Sequence, residues 1–283
     1  MTGAYLELTK PRITWLILMS TAIGYYFGVG PGGWSVWTLL HTLLGTGLLA
    51  SGTAALNQWY ESAADARMNR TKGRPIPSGR LSPRDALRFG VALAIAGFFD
   101  LAAFVNILTG CLGLFTLITY LWLYTPLKQR SPHSTTVGAI PGAMPPLIGY
   151  AASSGTLTWE AWVLYAILFV WQFPHFYAIA WMYREDYGRA GIRMLPVVEP
   201  DGESTARRIL LFSLLLVPIS AAPAMLSMTG KVYLAGAAVM GVYFLCAGIR
   251  VARERTVARA RGVLLASVAY LPVLYVLMVA DRP

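Results

Sequence analysis

The amino-acid sequence predicts an all-α polytopic membrane bundle of about nine transmembrane helices, with its N-terminus on the cytoplasmic side. Three observations lead there. Of 283 residues, 56% are hydrophobic and only 13% charged, with a mean hydropathy of +0.55, too apolar for an ordinary soluble protein. Nine apolar stretches approach the roughly 20 helical residues that cross a bilayer core. Finally, 21 of the 23 Lys and Arg residues fall in connections on one side of those stretches.

In chain order the predicted spans are Ile13–Val29, Val36–Leu56, Ala86–Val105, Leu108–Tyr124, Thr135–Ala152, Trp159–Trp181, Ile209–Ser227, Val232–Ile249 and Val263–Ala280. Each is continuously apolar rather than alternating, which excludes the strands of a β-barrel. The first exceeds the apolar core of a signal peptide and runs into Gly30-Pro31-Gly32-Gly33 without an A-x-A cleavage site, so it is read as a span. No Arg- and Ser-rich transit segment precedes it, and a bacterial inner membrane is the simplest home. Lys10 and Arg12 stand before it on the inner side. The second span is followed by seven basic residues, and the third opens on Ser82-Pro83-Arg84-Asp85, which combines an N-cap serine, a proline at the first helical position and an acidic third position. Lys128 and Arg130 follow the fourth span. Pro174 should kink the sixth and free a carbonyl, and Arg-rich segments follow the sixth and eighth. Outer connections are short and poor in charge, and nine crossings put the C-terminus outside.

This asymmetry accounts for the net charge of +10 and removes the case for nucleic acid as a partner. Cys111 and Cys246 lie within spans, where small packing residues are expected rather than a disulfide or metal pair. His41 reads as structural, His133 as a surface residue, and Asp100 as an interfacial acid without an identifiable partner.

The polar groups gather on the inner side. Asn57, Glu61 and Asp65 recur every fourth residue at the mouth of the second span, a register that puts all three on nearly one helical face. Carboxylates at a membrane interface are often merely solvated helix ends. The triple register, followed at once by Arg67, Arg70, Lys72 and Arg74, favours a clamp instead. Oxygen ligands suit Mg²⁺, while Arg and Lys suit phosphate. Glu185 and Asp186, with Arg184 beside them, offer carboxylates for a second metal. Adjacent acids diverge by about 100° on a helix, so both could face one ion only across an unwound turn; the bland alternative is an ion pair with Arg184 or Arg189. Lys128 and Arg130 serve equally as a phosphate lid or as topological anchors. His175, in Trp171-Gln172-Phe173-Pro174-His175-Phe176, is an intramembrane imidazole, hence a candidate haem ligand or proton carrier, against the alternative of a bond to a neighbouring helix. The two long inner loops share a pattern of acids, then basic residues, then a proline, four helices apart, as a duplicated four-helix unit would give.

Asn57-Gln58-Trp59-Tyr60-Glu61…Asp65 with Arg74-Pro75-Ile76-Pro77-Ser78-Gly79-Arg80 resembles the first signature of the intramembrane (UbiA-type) prenyltransferases. Leu8-Thr9-Lys10-Pro11-Arg12, Tyr124-Thr125-Pro126-Leu127-Lys128, Gly138–Gly142 with Pro145–Gly149, Trp171–Phe176, and Tyr183–Tyr187 with Met194–Pro196 extend the likeness over residues 6–205. Glu61 stands where the superfamily typically has Asp, and Tyr183 and Tyr187 where it has an Asp-rich second motif. These departures are similar to those of the haem-modifying branch, rather than quinone- or chlorophyll-directed relatives. The resemblance implies that residues 1–283 form one intramembrane prenyltransferase domain using Mg²⁺, farnesyl diphosphate and haem b. It implies metal binding by Asn57, Glu61, Asp65, Glu185 and Asp186, and substrate contacts from Arg70, Lys72, Arg74, Lys128, Arg184 and His175. A downstream haem-modifying enzyme or oxidase is the partner such a product implies. The alternatives are prenylation of an aromatic quinone precursor and, outside enzymes, carriage of a phosphorylated or lipid anion. The nearly uncharged spans weigh against carriage.

Overall fold

The computed structural model describes residues 2–30 and 33–283, and every regular element among them is helical. In order these are α1 Thr2–Leu8, α2 Pro11–Gly28, α3 Val36–Tyr60, α4 Ser62–Asp65, α5 Pro83–Phe104, α6 Ile107–Ile118, a π-helical turn Thr119–Tyr124, α7 Thr125–Leu127, α8 Ser134–Gly142, α9 Met144–Ser154, α10 Trp159–Met182, α11 Arg184–Arg189, α12 Leu195–Val198, α13 Glu203–Met225, α14 Lys231–Arg253 and α15 Val257–Ala280. Seven are long and apolar enough to cross a membrane: α3, α5, the Ile107–Leu127 stretch, α10, α13, α14 and α15. The protein is therefore a multi-pass membrane protein.

Several helices run beyond their apolar stretches. α13 begins at Glu203 and carries Arg207 and Arg208, and α14 continues to Arg253. Backbone bonding continues where hydropathy stops, because the long basic side chains reach water from the helix ends. The expected start of the third span holds: Ser82 Oγ accepts from Asp85 N–H at 3.1 Å, with Pro83 in the first turn. Two features differ from expectation. The single fifth span is two helices, α8 and α9, interrupted at Ala143 between Pro141 and the Pro145-Pro146 pair, which cannot supply amide protons to a continuous ladder. An additional short helix, α1, packs Leu8 with Ala55, Ile76, Leu81 and Ala86, tying the N-terminal segment to the inner ends of α3 and α5.

The tightest pairings rest on glycine. A β-carbon at Gly52 would meet the backbone of Ala94 at 2.7 Å, and one at Gly97 would meet Gly45 O at 2.6 Å, so α3 and α5 touch backbone to backbone. α2 and α9 approach still more closely, with Gly149 against Thr21 O and Gly24 against Pro146 O. Around α10 lies a larger core in which Phe173 stacks on Phe212 at 3.9 Å. Toward the far end of the α3–α5 pair, His41 Nδ1 meets Asp100 Oδ1 at 2.8 Å between the rings of Trp37 and Phe104, giving Asp100 the partner its sequence context did not reveal. Cys111 and Cys246 are free and exposed rather than packed. His133 is exposed, as expected.

Candidate active site

The register of Asn57, Glu61 and Asp65 survives the end of α3. Glu61 N–H bonds Asn57 O at 2.9 Å and Asp65 N–H bonds Glu61 O at 2.8 Å, so helical spacing continues into α4. All three side chains are buried: Asn57 is 1% exposed, Glu61 8% and Asp65 0%. Burial of two carboxylates at a helix end demands partners, and each comes from a different part of the chain.

Asp65 Oδ2 accepts from Arg74 Nη1 at 2.6 Å, because residues 66–81 fold back through successive turns and Thr71 Oγ1 donates to Asp65 O at 3.0 Å. Glu61 receives Lys128 Nζ on both oxygens, at 2.9 and 3.2 Å. Asn57 Oδ1 accepts from Lys10 Nζ at 3.2 Å, and Asn57 Nδ2 donates to Thr125 Oγ1 at 3.3 Å. Thr125 gives its only hydroxyl proton to Tyr120 O at 2.8 Å, which fixes the orientation of the Asn57 amide. That bond sits at the end of the π-helical turn, a distortion concentrated at functional sites. Lys128 also lies 4.5 Å over the Tyr124 ring, and Gly138 leaves the room in which that ring sits.

Lys10 is the group that sequence reading left as a topological marker. It holds a left-handed backbone, φ 47° and ψ 62°, one of two non-glycine residues with positive φ among the described residues. Pro11 behind it disfavours the right-handed helical region. Strain of this kind costs about 1–3 kcal/mol and collects at functional sites. Here it turns the side chain inward to Asn57. The available signal was the Lys-Pro step itself.

The electrostatics follow from crowding. Burial, and then repulsion from Arg74 and Lys128, push the Lys10 ammonium down to about 7 although Glu61 and Asp65 favour its charge. Burial opposes the charge of Lys128, but Glu61 outweighs it and holds that ammonium well above its ordinary value. Burial likewise raises the Glu61 carboxyl, and Lys128 with Lys10 more than reverses the effect, leaving it below the usual range and ionised at neutral pH. Among the described residues of this cluster, one buried side-chain atom has no partner: Asp65 Oδ1. A buried carboxylate oxygen without a hydrogen-bond partner, on the same helical face as a second carboxylate and an amide oxygen, belongs to a donor set suited to a hard divalent cation. The residues present thus fit a bound Mg²⁺.

The remaining predicted residues are placed differently. Asp186 is 8% exposed and points at the first loop, accepting from Asn69 N–H at 3.3 Å and Arg70 N–H at 3.1 Å while pairing with Arg189. Glu185 is exposed, as the 100° divergence of adjacent residues requires. Tyr183 and Tyr187, the two departures from an acid-rich motif, hold the guanidinium of Arg70 at 5.0 and 5.9 Å from their ring centres. Arg184 turns away onto Trp181, donating to its carbonyl at 3.0 Å. Lys72 is exposed and donates to Asn69 Oδ1. Ala64, Met68, Ala180, Ala190, Ile192 and Met194 form a small core between the two inner loops, and Arg193 N–H bonds Lys128 O at 2.8 Å, so both loops and the α7 segment make one cap over the acids.

His175 lies deeper on α10, stacked on Trp171 at 4.8 Å, with Nδ1 2.7 Å from Ser267 Oγ of α15. Ser267 gives its one proton to Leu264 O at 2.7 Å, so Nδ1 carries the hydrogen of the His175 bond and Nε2 keeps the lone pair. A separate apolar cleft of about 690 Å³ is lined by Leu49, Leu56, Val91, Phe98 and Trp122, among others. It lies on a face of α3 turned about 100° from Asn57 and holds none of the ionisable cluster.

Comparison with known proteins identifies the family and the fold. Residues 17–271 match the UbiA prenyltransferase family. The chain is 62% identical over 287 residues to the protoheme IX farnesyltransferase of Solibacter usitatus (strain Ellin6076), covering 99% of this chain and 98% of that one. Its fold is similar to that of a digeranylgeranylglyceryl phosphate synthase, with a TM-score of 0.81 at 18% identity, covering 99% and 98% of the two chains. It also aligns with a UbiA homologue from Archaeoglobus fulgidus bound to GPP and Mg²⁺, with a TM-score of 0.66 at 17% identity, covering 98% and 99%.

Proposed function

The chain belongs to the UbiA prenyltransferase family, and from that premise we propose that it moves the farnesyl group of farnesyl diphosphate onto a vinyl group of haem b, with addition of water, to give haem O. The single observation that carries the reading is the buried convergence of Asn57, Glu61 and Asp65 with Lys10, Arg74 and Lys128 at one end of an apolar bundle. Relatives named protoheme IX farnesyltransferase, matched over nearly their whole length, support the choice of acceptor.

In this proposal Asn57, Glu61 and Asp65 would hold Mg²⁺, which would supply positive charge to offset that of the departing diphosphate. Lys128, Arg74 and Lys10 face its remaining oxygens, and Arg70 and Lys72 form an outer rim. Asp186 keeps that rim in place through the backbone of Asn69 and Arg70. The C1–O bond breaks with its electron pair leaving on the diphosphate. The vinyl π electrons form the new carbon–carbon bond to C1. Water oxygen captures the cation left on the haem side chain and loses a proton. The apolar helices keep water from the allylic cation until then. His175 presents Nε2 to the haem iron, its orientation fixed by Ser267 as second-shell bonds fix metal-bound histidines. The whole chain, residues 1–283, acts as one catalytic unit in the inner membrane with these groups facing the cytoplasm.

Purified protein in lipid nanodiscs, given farnesyl diphosphate and Mg²⁺ with either haem b or 4-hydroxybenzoate, tests this. Haem O by mass spectrometry in the first case and no prenylated product in the second is expected. Prenylated 4-hydroxybenzoate with untouched haem would replace the proposal with a quinone-directed one.

A further inference from the structure

Metal and cations contend for the same oxygens in this cluster. Lys10 lies on Asn57 Oδ1, Lys128 on both Glu61 oxygens and Arg74 on Asp65 Oδ2. Of these side-chain oxygens only Asp65 Oδ1, in a residue with no exposure, is without a partner. A divalent ion that enters beside Asp65 Oδ1 can complete its coordination from Asn57 or Glu61 only if an ammonium withdraws. Arg74 and Lys128 already offset the two carboxylates, so a metal that arrives alone brings uncompensated positive charge into a buried site. A prenyl diphosphate brings about three negative charges, enough to balance a divalent ion and still offer an oxygen to Lys10. Its oxygens also give the withdrawn ammonium groups new acceptors.

Resting on the function proposed above, we infer that the site binds divalent metal and diphosphate as an obligatory pair, and that Lys10 is the residue that enforces the pairing by exchanging Asn57 Oδ1 for a phosphate oxygen. Lys10 suits the exchange better than its neighbours. Arg74 and Lys128 are each held by a carboxylate, whereas Lys10 is held at 3.2 Å by a neutral amide. Its strained backbone fixes where the side chain starts, and its long stem lets the ammonium swing without moving α2. The device favours the substrate over bare metal and over free monophosphates, which bring less charge.

The test is direct Mn²⁺ binding to the full chain in nanodiscs, read by electron paramagnetic resonance with and without inorganic pyrophosphate. The Asp65→Asn protein sets the baseline for Mn²⁺ held by pyrophosphate in solution. Pyrophosphate is expected to tighten Mn²⁺ binding to the wild type by about 5- to 150-fold, the usual span of coupling between sites. In Lys10→Gln, Mn²⁺ alone binds more tightly than in wild type and the coupling shrinks at least threefold, while Lys10→Arg keeps it. Equal Mn²⁺ affinity with and without pyrophosphate in the wild type, or coupling unchanged in Lys10→Gln, overturns the inference and leaves the proposed reaction standing. Mn²⁺ binding no greater than in Asp65→Asn, even with pyrophosphate, overturns the metal assignment on which both rest.

Discussion

Removing the Asp186 carboxylate distinguishes a metal ligand from a pin between two loops. In Asp186→Ala, the N–H groups of Asn69 and Arg70 lose their acceptor, and Arg189 loses its ion pair. The Arg189 side chain is 48% exposed, so its pair contributes about 0–1 kcal/mol. Bonds from an amide to a charged acceptor contribute about 1.5–3 kcal/mol each when buried. Asn69 and Arg70 are themselves exposed, so water recovers part of that loss. A total of about 2–3 kcal/mol of local stability is expected. At about 1.4 kcal/mol per tenfold, that corresponds to a fall of about 30- to 150-fold in hydrogen-exchange protection. The fall should be confined to residues 66–74 and their contacts in the second loop, measured by mass spectrometry in nanodiscs. Because Arg74 belongs to the loosened loop, the KM for farnesyl diphosphate rises while the Mg²⁺ requirement stays put. Unchanged protection, together with a tenfold or greater rise in the Mg²⁺ needed for half-maximal turnover, would refute the pin and make Asp186 a ligand.

Other expectations are briefer. Lys128→Met leaves the Glu61 carboxylate buried without its cation, which costs about 3–5 kcal/mol; its midpoint of thermal unfolding in detergent falls well below that of Glu61→Gln with Lys128→Met combined, and equal midpoints would contradict the pairing. Gly149→Val drives a side chain into the Thr21 carbonyl and separates α2 from α9; yield of folded protein on size exclusion drops, at a cost above the about 1–3 kcal/mol of ordinary overpacking. Ser267→Ala frees the His175 ring to turn or change tautomer; the KM for haem rises while that for farnesyl diphosphate does not, and parallel changes in both would argue against a haem-facing histidine.

Much of this was legible in the sequence, for specific physical reasons. The long spans are apolar runs that nothing else explains, and α10 lies within a residue of its predicted ends. The Asn57-Glu61-Asp65 register was legible because helical periodicity is local and persists through the backbone bonds at Glu61 and Asp65. What stayed hidden depends on distant contacts. The Lys10-Pro11 step marks an unusual backbone but not its target, Asn57, 47 residues away, and nothing near Asp186 indicates that it caps amides 116 and 117 residues earlier. The fifth span read as continuous because its residues are apolar throughout. Its prolines decide otherwise, and Gln172 on α10 takes up Ala139 O beside Gly142. Tyr183 and Tyr187 read in sequence as lost metal ligands, whereas in the fold their rings flank Arg70.

The most direct test of the account is haem O content, by pigment extraction and mass spectrometry, in membranes of a host without its own haem O pathway that expresses wild type, Glu61→Gln or Asp65→Asn. The account predicts haem O from the wild type and none from either variant at equal protein level, since each removes an oxygen charge from the cluster while keeping its shape. Wild-type amounts of haem O from both variants would contradict it.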